Sequence, residues 1–272
     1  MADILDRIVA HKRLEVDRRS RNTPLAKLRD APRYHRKTHD FCRALERSDN
    51  YGIIAEFKRK SPSQSDINLN ADPAGVARGY AGGGAAAMSC ITDTNFFGAE
   101  PSDIDLVRGA VDLPILRKDF MIESYQLHEA RAMGADAILL IAACLDPGQL
   151  DELAHEACEL GLTVLCEVHD EDDVAKLSPD VDIVGVNNRN LKDFTVSLNT
   201  SIRLAEMLPP GLLKISESGI EDPQSIVKLR RSGFQGFLIG TYFMRQDDPG
   251  EALAAFIRKT REIDDLYQGA IA

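Results

Sequence analysis

The chain has no tryptophan, no C-x-x-C pair, no excess of basic residues and no long apolar run. Its five cysteines (Cys42, Cys90, Cys144, Cys158, Cys166) are an odd number without paired spacing, which points to reduced thiols rather than disulfides or a zinc site. Cys90, Cys144 and Cys166 lie in or beside apolar runs and read as small buried hydrophobes. No two histidines have ligand spacing, so no metal is expected. The net charge of −10 disfavours nucleic acid and anionic membrane as partners. No apolar stretch reaches the roughly 18–20 residues that cross a bilayer. The opening Met-Ala-Asp-Ile-Leu-Asp-Arg has no apolar core of the signal-peptide kind. A cytoplasmic protein is expected. No G-x-G-x-x-G follows the first strand, and Gly82-Gly83-Gly84 precedes a strand rather than opening a helix. This weakens the runner-up fold, an open doubly wound sheet.

What is present is a repeated layout, a short apolar run ending abruptly in charge. Ile53-Ile54-Ala55 runs into Glu56-Phe57-Lys58, and Leu113-Pro114-Ile115-Leu116 into Arg117-Lys118-Asp119. Residues 162–166 run into Glu167, and residues 181–186 into Asn187-Asn188-Arg189. Buried parallel strands read as continuous apolar runs. Ionisable groups are costly in a core unless paired, so charge recurring at strand ends suggests a site. Strands are expected near 52–57, 86–91, 113–117, 136–141, 162–167, 181–186, 212–216 and 235–239. Helices are expected near 73–82, 101–110, 124–133, 147–160, 170–177, 199–207, 223–231 and 249–261. Asp72-Pro73, Asp146-Pro147, Asp222-Pro223 and Asp248-Pro249 each place an N-cap acceptor before proline at the first helical position. Eight strand–helix units in 272 residues define a (β/α)8 TIM barrel. Residues 1–48 stand apart as an N-terminal helical extension, with Ile4, Leu5, Ile8, Val9 and Leu14 on one face. Residues 49–272 form the barrel, and the whole is a single domain.

In such barrels the active site lies at the C-terminal strand ends. Glu56 and Lys58, two apart on a strand, point the same way; they hold opposite protonation roles or simply pair. One of the adjacent positions Arg117, Lys118 and Asp119 must face inward. A lysine partly withdrawn from water acts as a general acid, while the plainer reading of Lys118 is a solvated loop residue. Glu167 reads as a base, a stabiliser of developing positive charge, or a partner for Lys118. His169, two beyond it and in the loop, is a group that titrates near neutrality, while its plainer reading is structural. Lys58, Arg59, Lys60, Arg117, Lys118 and Arg189 make a local basic cluster suited to a small anionic ligand, with Arg59 and Lys60 read as a solvated rim. Arg189 offers a planar fork for a carboxylate or phosphate. Strands seven and eight end at Glu217-Ser218-Gly219-Ile220 and Leu238-Ile239-Gly240-Thr241, where barrels often bind phosphate.

Together these segments resemble the indole-3-glycerol-phosphate synthase family. The likeness runs from about Asp40 to Arg261 and rests on residues 54–63 (Ile-Ala-Glu-Phe-Lys-Arg-Lys-Ser-Pro-Ser), on Leu116-Arg117-Lys118-Asp119-Phe120 with Tyr125-Gln126, and on residues 134–141. It continues through residues 185–191 and Ser216-Glu217-Ser218-Gly219-Ile220. The resemblance implies a lyase of tryptophan biosynthesis that closes a ring in 1-(2-carboxyphenylamino)-1-deoxyribulose 5-phosphate with loss of CO2 and water, with no cofactor and no metal. The partner it implies is a small anionic phosphosugar, with no nucleic acid or membrane; a monomer or weak homodimer is expected. By the same resemblance Lys118 is the general acid at the carbonyl oxygen and Glu167 stabilises charge beside it. Glu56 and Lys58 serve dehydration and substrate binding. Asn187, Arg189, Glu217 and Ser218 orient the substrate, with Ser61 and Pro62 in the first loop. Phe97, Phe120, Leu139 and Leu191 form apolar walls, and Gly219, Gly240 and Thr241 take the phosphate. The chain departs from the family at Gln64-Ser65, where a basic residue and glycine are usual, around Phe96-Phe97-Gly98-Ala99, and at Thr241. A phosphosugar isomerase barrel would need a Cys/Asp pair at strand ends, and a purely binding barrel would not need both signs of charge.

Overall fold

A computed structural model describes residues 4–47, 49–191 and 193–269. Eight strands close on themselves in sequence order. They are β1 (Ile53–Phe57), β2 (Ala87–Ile91), β3 (Ile115–Lys118), β4 (Ala137–Ile141), β5 (Thr163–Val168), β6 (Ile183–Asn187), β7 (Leu213–Glu217) and β8 (Gly236–Ile239). All neighbours are parallel, and β8 pairs back onto β1 through Ile53–Phe237 and Ala55–Ile239. β3 begins at Ile115, two residues after the expected start, because Pro114 has no N–H for the ladder. The helix expected at 170–177 is a single turn, Glu171–Val174, whereas the last helix runs from Pro249 to Gly269. The four expected N-caps form: Asp72, Asp146, Asp222 and Asp248 each accept backbone N–H groups of the turn that follows. No helix among the described residues is long and apolar enough to cross a membrane.

The strand alternation sorts the apolar residues into two cores. Ile53, Ala55, Phe57, Ile138 and Leu140 face outward and pack under the helices. Ile54, Leu116, Leu139, Ile141, Leu165, Ile183, Ile215 and Leu238 face inward and fill the barrel. The inward series continues toward the C-terminal end as Glu56, Lys118, Glu167, Asn187 and Glu217, because each lies two residues beyond an inward apolar one or continues its alternation.

The extension does two jobs. Its third helix, α3 (Phe41–Glu46), carries the fully buried Phe41 and Leu45 into the inner core beside Ala86 and Ala87, closing the N-terminal end of the barrel. Its first, α1 (Ile4–Asn22), reaches the opposite end; α2 (Leu25–Arg29) lies between them in sequence. The expected face of α1 is the one it buries: Ile4, Leu5 and Ile8 line the cavity and Val9 packs on the core, and the face continues through Lys12 and Val16 rather than Leu14, which is 71 % exposed. The Lys12 ammonium lies 2.8 Å from each of Glu15, Asp93 and Asp119, the last two following β2 and β3. Burial opposes the Lys12 charge, but Asp119, Asp93 and Glu15 more than offset it and raise its pKa.

Candidate active site

A cavity of about 710 Å³ opens at the C-terminal end of the strands. Of the residues expected at the site, Glu56, Lys58, Ser61, Pro62, Phe97, Phe120, Lys118, Leu139, Glu167, Asn187, Arg189, Leu191, Ser218, Gly219, Gly240 and Thr241 all line it. Ile4, Leu5 and Ile8 of α1 complete the wall.

At its floor stands Lys118, with three carboxylates around the ammonium. Nζ donates to Glu217 Oε2 at 2.9 Å and lies 3.4 Å from Glu56 Oε2 and 4.0 Å from Glu167 Oε2. Burial works against the charge, yet Glu217, Glu56 and Glu167 outweigh it and hold the ammonium pKa well above that of free lysine. Lys58 Nζ is 2.7 Å from Glu56 Oε1. Burial opposes ionisation of Glu56 as well; Lys58 and Lys118 overcome it and lower its pKa. Glu217 differs from the other expected residues: it lies beneath the cavity lining, 1 % exposed, and reaches the site through Lys118. Its burial, only partly answered by Lys118 and reinforced by Glu167 and Glu56, raises its pKa to about 7.

Burial also opposes the charge of Glu167, but His169, 3.2 Å away, together with Lys118 and a hydrogen bond from Asn187, brings its pKa down to about 2. Asn187 Nδ2 donates to Glu167 Oε1 at 3.0 Å, and Asn187 Oδ1 accepts the Arg189 backbone N–H at 3.0 Å. The Arg189 side chain reaches over the mouth toward Ser63 Oγ, 3.4 Å away, and the Phe194 carbonyl, 3.5 Å away. Phe97 and Phe120 meet with ring centroids 6.1 Å apart, so the sequence departure near Phe97 leaves it facing the cavity.

Three members of the basic cluster, Arg59, Lys60 and Arg117, do not line the cavity. Arg59 is neither solvated nor in the mouth: it is buried, pairs with Asp103 and stacks over Phe57. Arg117 points outward under the helices, bonded to Asp119, Glu129 and the Gln126 carbonyl. Alternation on β3 puts Lys118 in and Arg117 out. Lys60 reaches the Asn95 carbonyl at 3.3 Å. Arg245, not singled out from sequence, lines the cavity instead and donates to Gln64.

Ser218 and Gly219 leave β7 in the left-handed region, with φ of 67° and 74°. A Cβ on Gly219 would sit 2.3 Å from Val196 Cγ1, so only glycine fits. The turn is clamped by Asn188, whose Nδ2 donates to Ser216 Oγ at 2.9 Å and to the Glu217 and Ser218 carbonyls at 2.9 and 3.1 Å. On β6, a Cβ at Gly185 would come within 2.2 Å of Glu217 Oε1, so this glycine makes the space for that carboxylate. Neither Asn188 nor Gly185 is singled out by the sequence, because each acts on a residue about 30 positions away.

A closed parallel barrel with a mixed-charge site at the C-terminal strand ends and glycine turns after β7 and β8 defines a (β/α)8-barrel enzyme. Solved structures agree on the fold: a thiamine phosphate pyrophosphorylase from Pyrococcus furiosus superposes with a TM-score of 0.57 at 16% identity, covering 80% of this chain and 99% of its own. A chain of the tryptophan synthase α2β2 complex from the same organism gives 0.56 at 14%, covering 78% and 98%. The sequence is more specific. The profile of the indole-3-glycerol phosphate synthase family matches residues 5–256. The indole-3-glycerol phosphate synthase of Bacteroides thetaiotaomicron is 45% identical over 258 residues, 95% of this chain and 99% of that protein. That of Laribacter hongkongensis is 44% identical over 93% and 98%, and that of Salinibacter ruber 43% over 96% and 97%. The chain belongs to the indole-3-glycerol phosphate synthase family. The match begins at residue 5 rather than near Asp40, so most of the extension is part of the family's shared sequence.

Proposed function

We propose how this site divides the work of its reaction, the conversion of 1-(2-carboxyphenylamino)-1-deoxyribulose 5-phosphate to indole-3-glycerol phosphate in tryptophan biosynthesis. The observation that carries the assignment is the Lys118 ammonium set 2.9–4.0 Å from three carboxylates on β1, β5 and β7. Ring closure places negative charge on a carbonyl oxygen and positive charge on the attacking ring. Lys118 protonates the oxygen, and Glu167, kept anionic, stabilises the cation beside it. CO2 loss then restores aromaticity. The Glu56–Lys58 pair, 2.7 Å apart, handles dehydration and contacts the anionic substrate. Glu217 holds Lys118 from below, while Asn187, Arg189, Ser218, Ser61 and Pro62 orient the substrate. Phe97, Phe120, Leu139 and Leu191 wall its aromatic part.

The phosphate goes to the backbone around Gly219 and Gly240-Thr241, across the mouth from Lys58, where the glycines let an anion approach. A phosphorylated sugar does not cross membranes, which supports a cytoplasmic enzyme. The exposed large apolar residues among those described, Leu14, Leu69, Leu106, Val196, Met207, Leu266 and Tyr267, are spread along the chain with only the last two adjacent, which supports a monomer or weak homodimer. The buried Lys12 and the Phe41–Leu45 plug support one unfolding unit for residues 1–48 and 49–272. The direct test supplies the purified chain with the carboxyphenylamino-deoxyribulose phosphate and follows indole fluorescence together with released CO2. Equal yields of both are expected; product without CO2, or no product, overturns the assignment.

A further inference from the structure

Glu167 has one oxygen tied and one free. Oε1 accepts from Asn187 at 3.0 Å and lies 3.2 Å from His169 Nε2, while Oε2 faces Lys118. The other ring nitrogen of His169, Nδ1, is 3.3 Å from Asp173 Oδ2, and that same oxygen accepts the His169 backbone N–H at 3.1 Å. Asp173 is held in turn. Its N–H donates to Asp170 Oδ1 at 3.0 Å, and its Oδ1 lies 3.3 Å from Lys176 Nζ, which also donates to the Ala142 carbonyl at 2.8 Å. His169 and Asp173 do not line the cavity. Both are largely buried, with side chains 13% and 6% exposed.

We propose that His169 and Asp173 are positioning residues for Glu167: Asp173 fixes the imidazole ring, and the ring pins Oε1 so that Oε2 alone is presented to the substrate. The inference rests on the reading that Glu167 faces the reacting atoms. A histidine whose two nitrogens are held by two carboxylates has one ring orientation. A carboxylate with one oxygen held by an amide hydrogen bond and by an imidazole nitrogen 3.2 Å away loses the freedom to rotate its other oxygen off target. The surrounding charges agree. Burial opposes protonation of His169, but Asp173 and Glu167 raise its pKa to about 10, so the ring is a cation beside an anion at neutral pH. The other groups facing this chain of contacts are Lys118 and Asn187 on Glu167, Lys176 on Asp173 and Asp170 at the helix cap.

The test compares His169→Ala, His169→Gln and Asp173→Asn in the full-length enzyme. His169→Ala is expected to lower kcat by about tenfold or more with KM within roughly threefold, the signature of an interaction that acts on the transition state. Removing a donor and a positive charge raises the pKa of Glu167, so the acid limb of the kcat profile moves up by about one pH unit or more. His169→Gln restores an amide donor without the charge and is expected to recover most of the lost kcat while the limb stays displaced. Asp173→Asn, nearly isosteric, gives a smaller displacement in the same direction and serves if the alanine variant does not fold. Turnover within about twofold of wild type with an unmoved limb overturns the proposal. So does a loss of kcat matched by KM and not recovered by glutamine, which marks a structural residue. The Glu167 carboxyl band, followed by infrared titration without substrate and identified against Glu167→Gln, must shift in His169→Gln; an unshifted band overturns the positioning role whatever the enzyme's turnover.

Discussion

Replacing Lys118 with methionine removes the cation from the floor of the cavity and keeps the stem. The ammonium lies 2.9 Å from Glu217, 3.4 Å from Glu56 and 4.0 Å from Glu167. At an effective dielectric of about 20, opposite unit charges that close attract by roughly 4–6 kcal/mol. Losing all three attractions at once leaves buried carboxylates facing each other, and breaking a buried pair costs about 3–5 kcal/mol. The carboxyls escape part of that cost by taking up protons. Their pKa values in the folded state then rise above the roughly 4.3 of free glutamate, as that of Glu217 already does at about 7. A carboxyl raised in this way favours the fold while protonated, and that contribution is lost as pH rises through its folded pKa. The stability gap between wild type and Lys118→Met is therefore expected to widen from pH 5 to pH 8 in denaturant melts. Turnover falls at least about 100-fold, the low end for a lost general acid, while the circular dichroism of the barrel is retained at pH 5. A variant with turnover near wild type, or a gap that stays flat across this range, refutes the reasoning.

Other expectations come from the same geometry. Gly219→Val forces a left-handed residue and a contact 2.3 Å from Val196; KM for the phosphorylated substrate is expected to rise about tenfold or more, a loss of about 1.4 kcal/mol, while binding of a dephosphorylated analogue, measured by calorimetry, changes less. Glu56→Gln and Glu167→Gln each keep shape and remove charge; both should lower kcat far more than they raise KM, and a pure KM effect at either site reassigns it as a binding group. Lys12→Met leaves Glu15, Asp93 and Asp119 without their buried cation. A loss of about 3–5 kcal/mol in denaturant melts, with earlier proteolytic cleavage of α1, is expected; an unchanged melt means that Lys12 does not anchor the extension.

The barrel was legible because its strands are buried on both faces and end in charge. That pattern marks four of the strands, and with them Glu56, Lys118 and Glu167; the strand–helix alternation supplies the other four, all eight lying within two residues of their observed ends. It could not say which of two adjacent charges turns inward. Arg117 and Lys118 look alike in sequence, and only the inward phase of Leu116 decides between them. Arg59 was misread for the same reason: its partner Asp103 is 44 positions away, so a paired buried arginine looked like a solvated one. The face of α1 is legible as far as Val9, but its continuation through Lys12 is not, because apolar periodicity skips a lysine and picks the exposed Leu14 instead.

Gly185, Asn188 and Lys12, which the sequence does not single out, and His169, which it leaves as structural, share a property: they touch other residues of the site rather than the cavity's reactive center. Each matters through what it leaves room for or holds in place. A catalytic carboxylate announces itself by interrupting an apolar run, since burying it is costly. The group that offsets that cost lies on another strand or loop and looks ordinary where it stands. In this barrel the offset is shared: Lys118 serves three carboxylates, Asn187 and His169 serve one of them, and Gly185 supplies space for another. Three buried carboxylates and the two lysines among them, at one end of an otherwise apolar interior, are stable only as a set. Single substitutions there should therefore be non-additive, and a double variant of Lys118 and Glu217 should lose less stability than the sum of its parts, because the second change removes the charge that the first left unpaired.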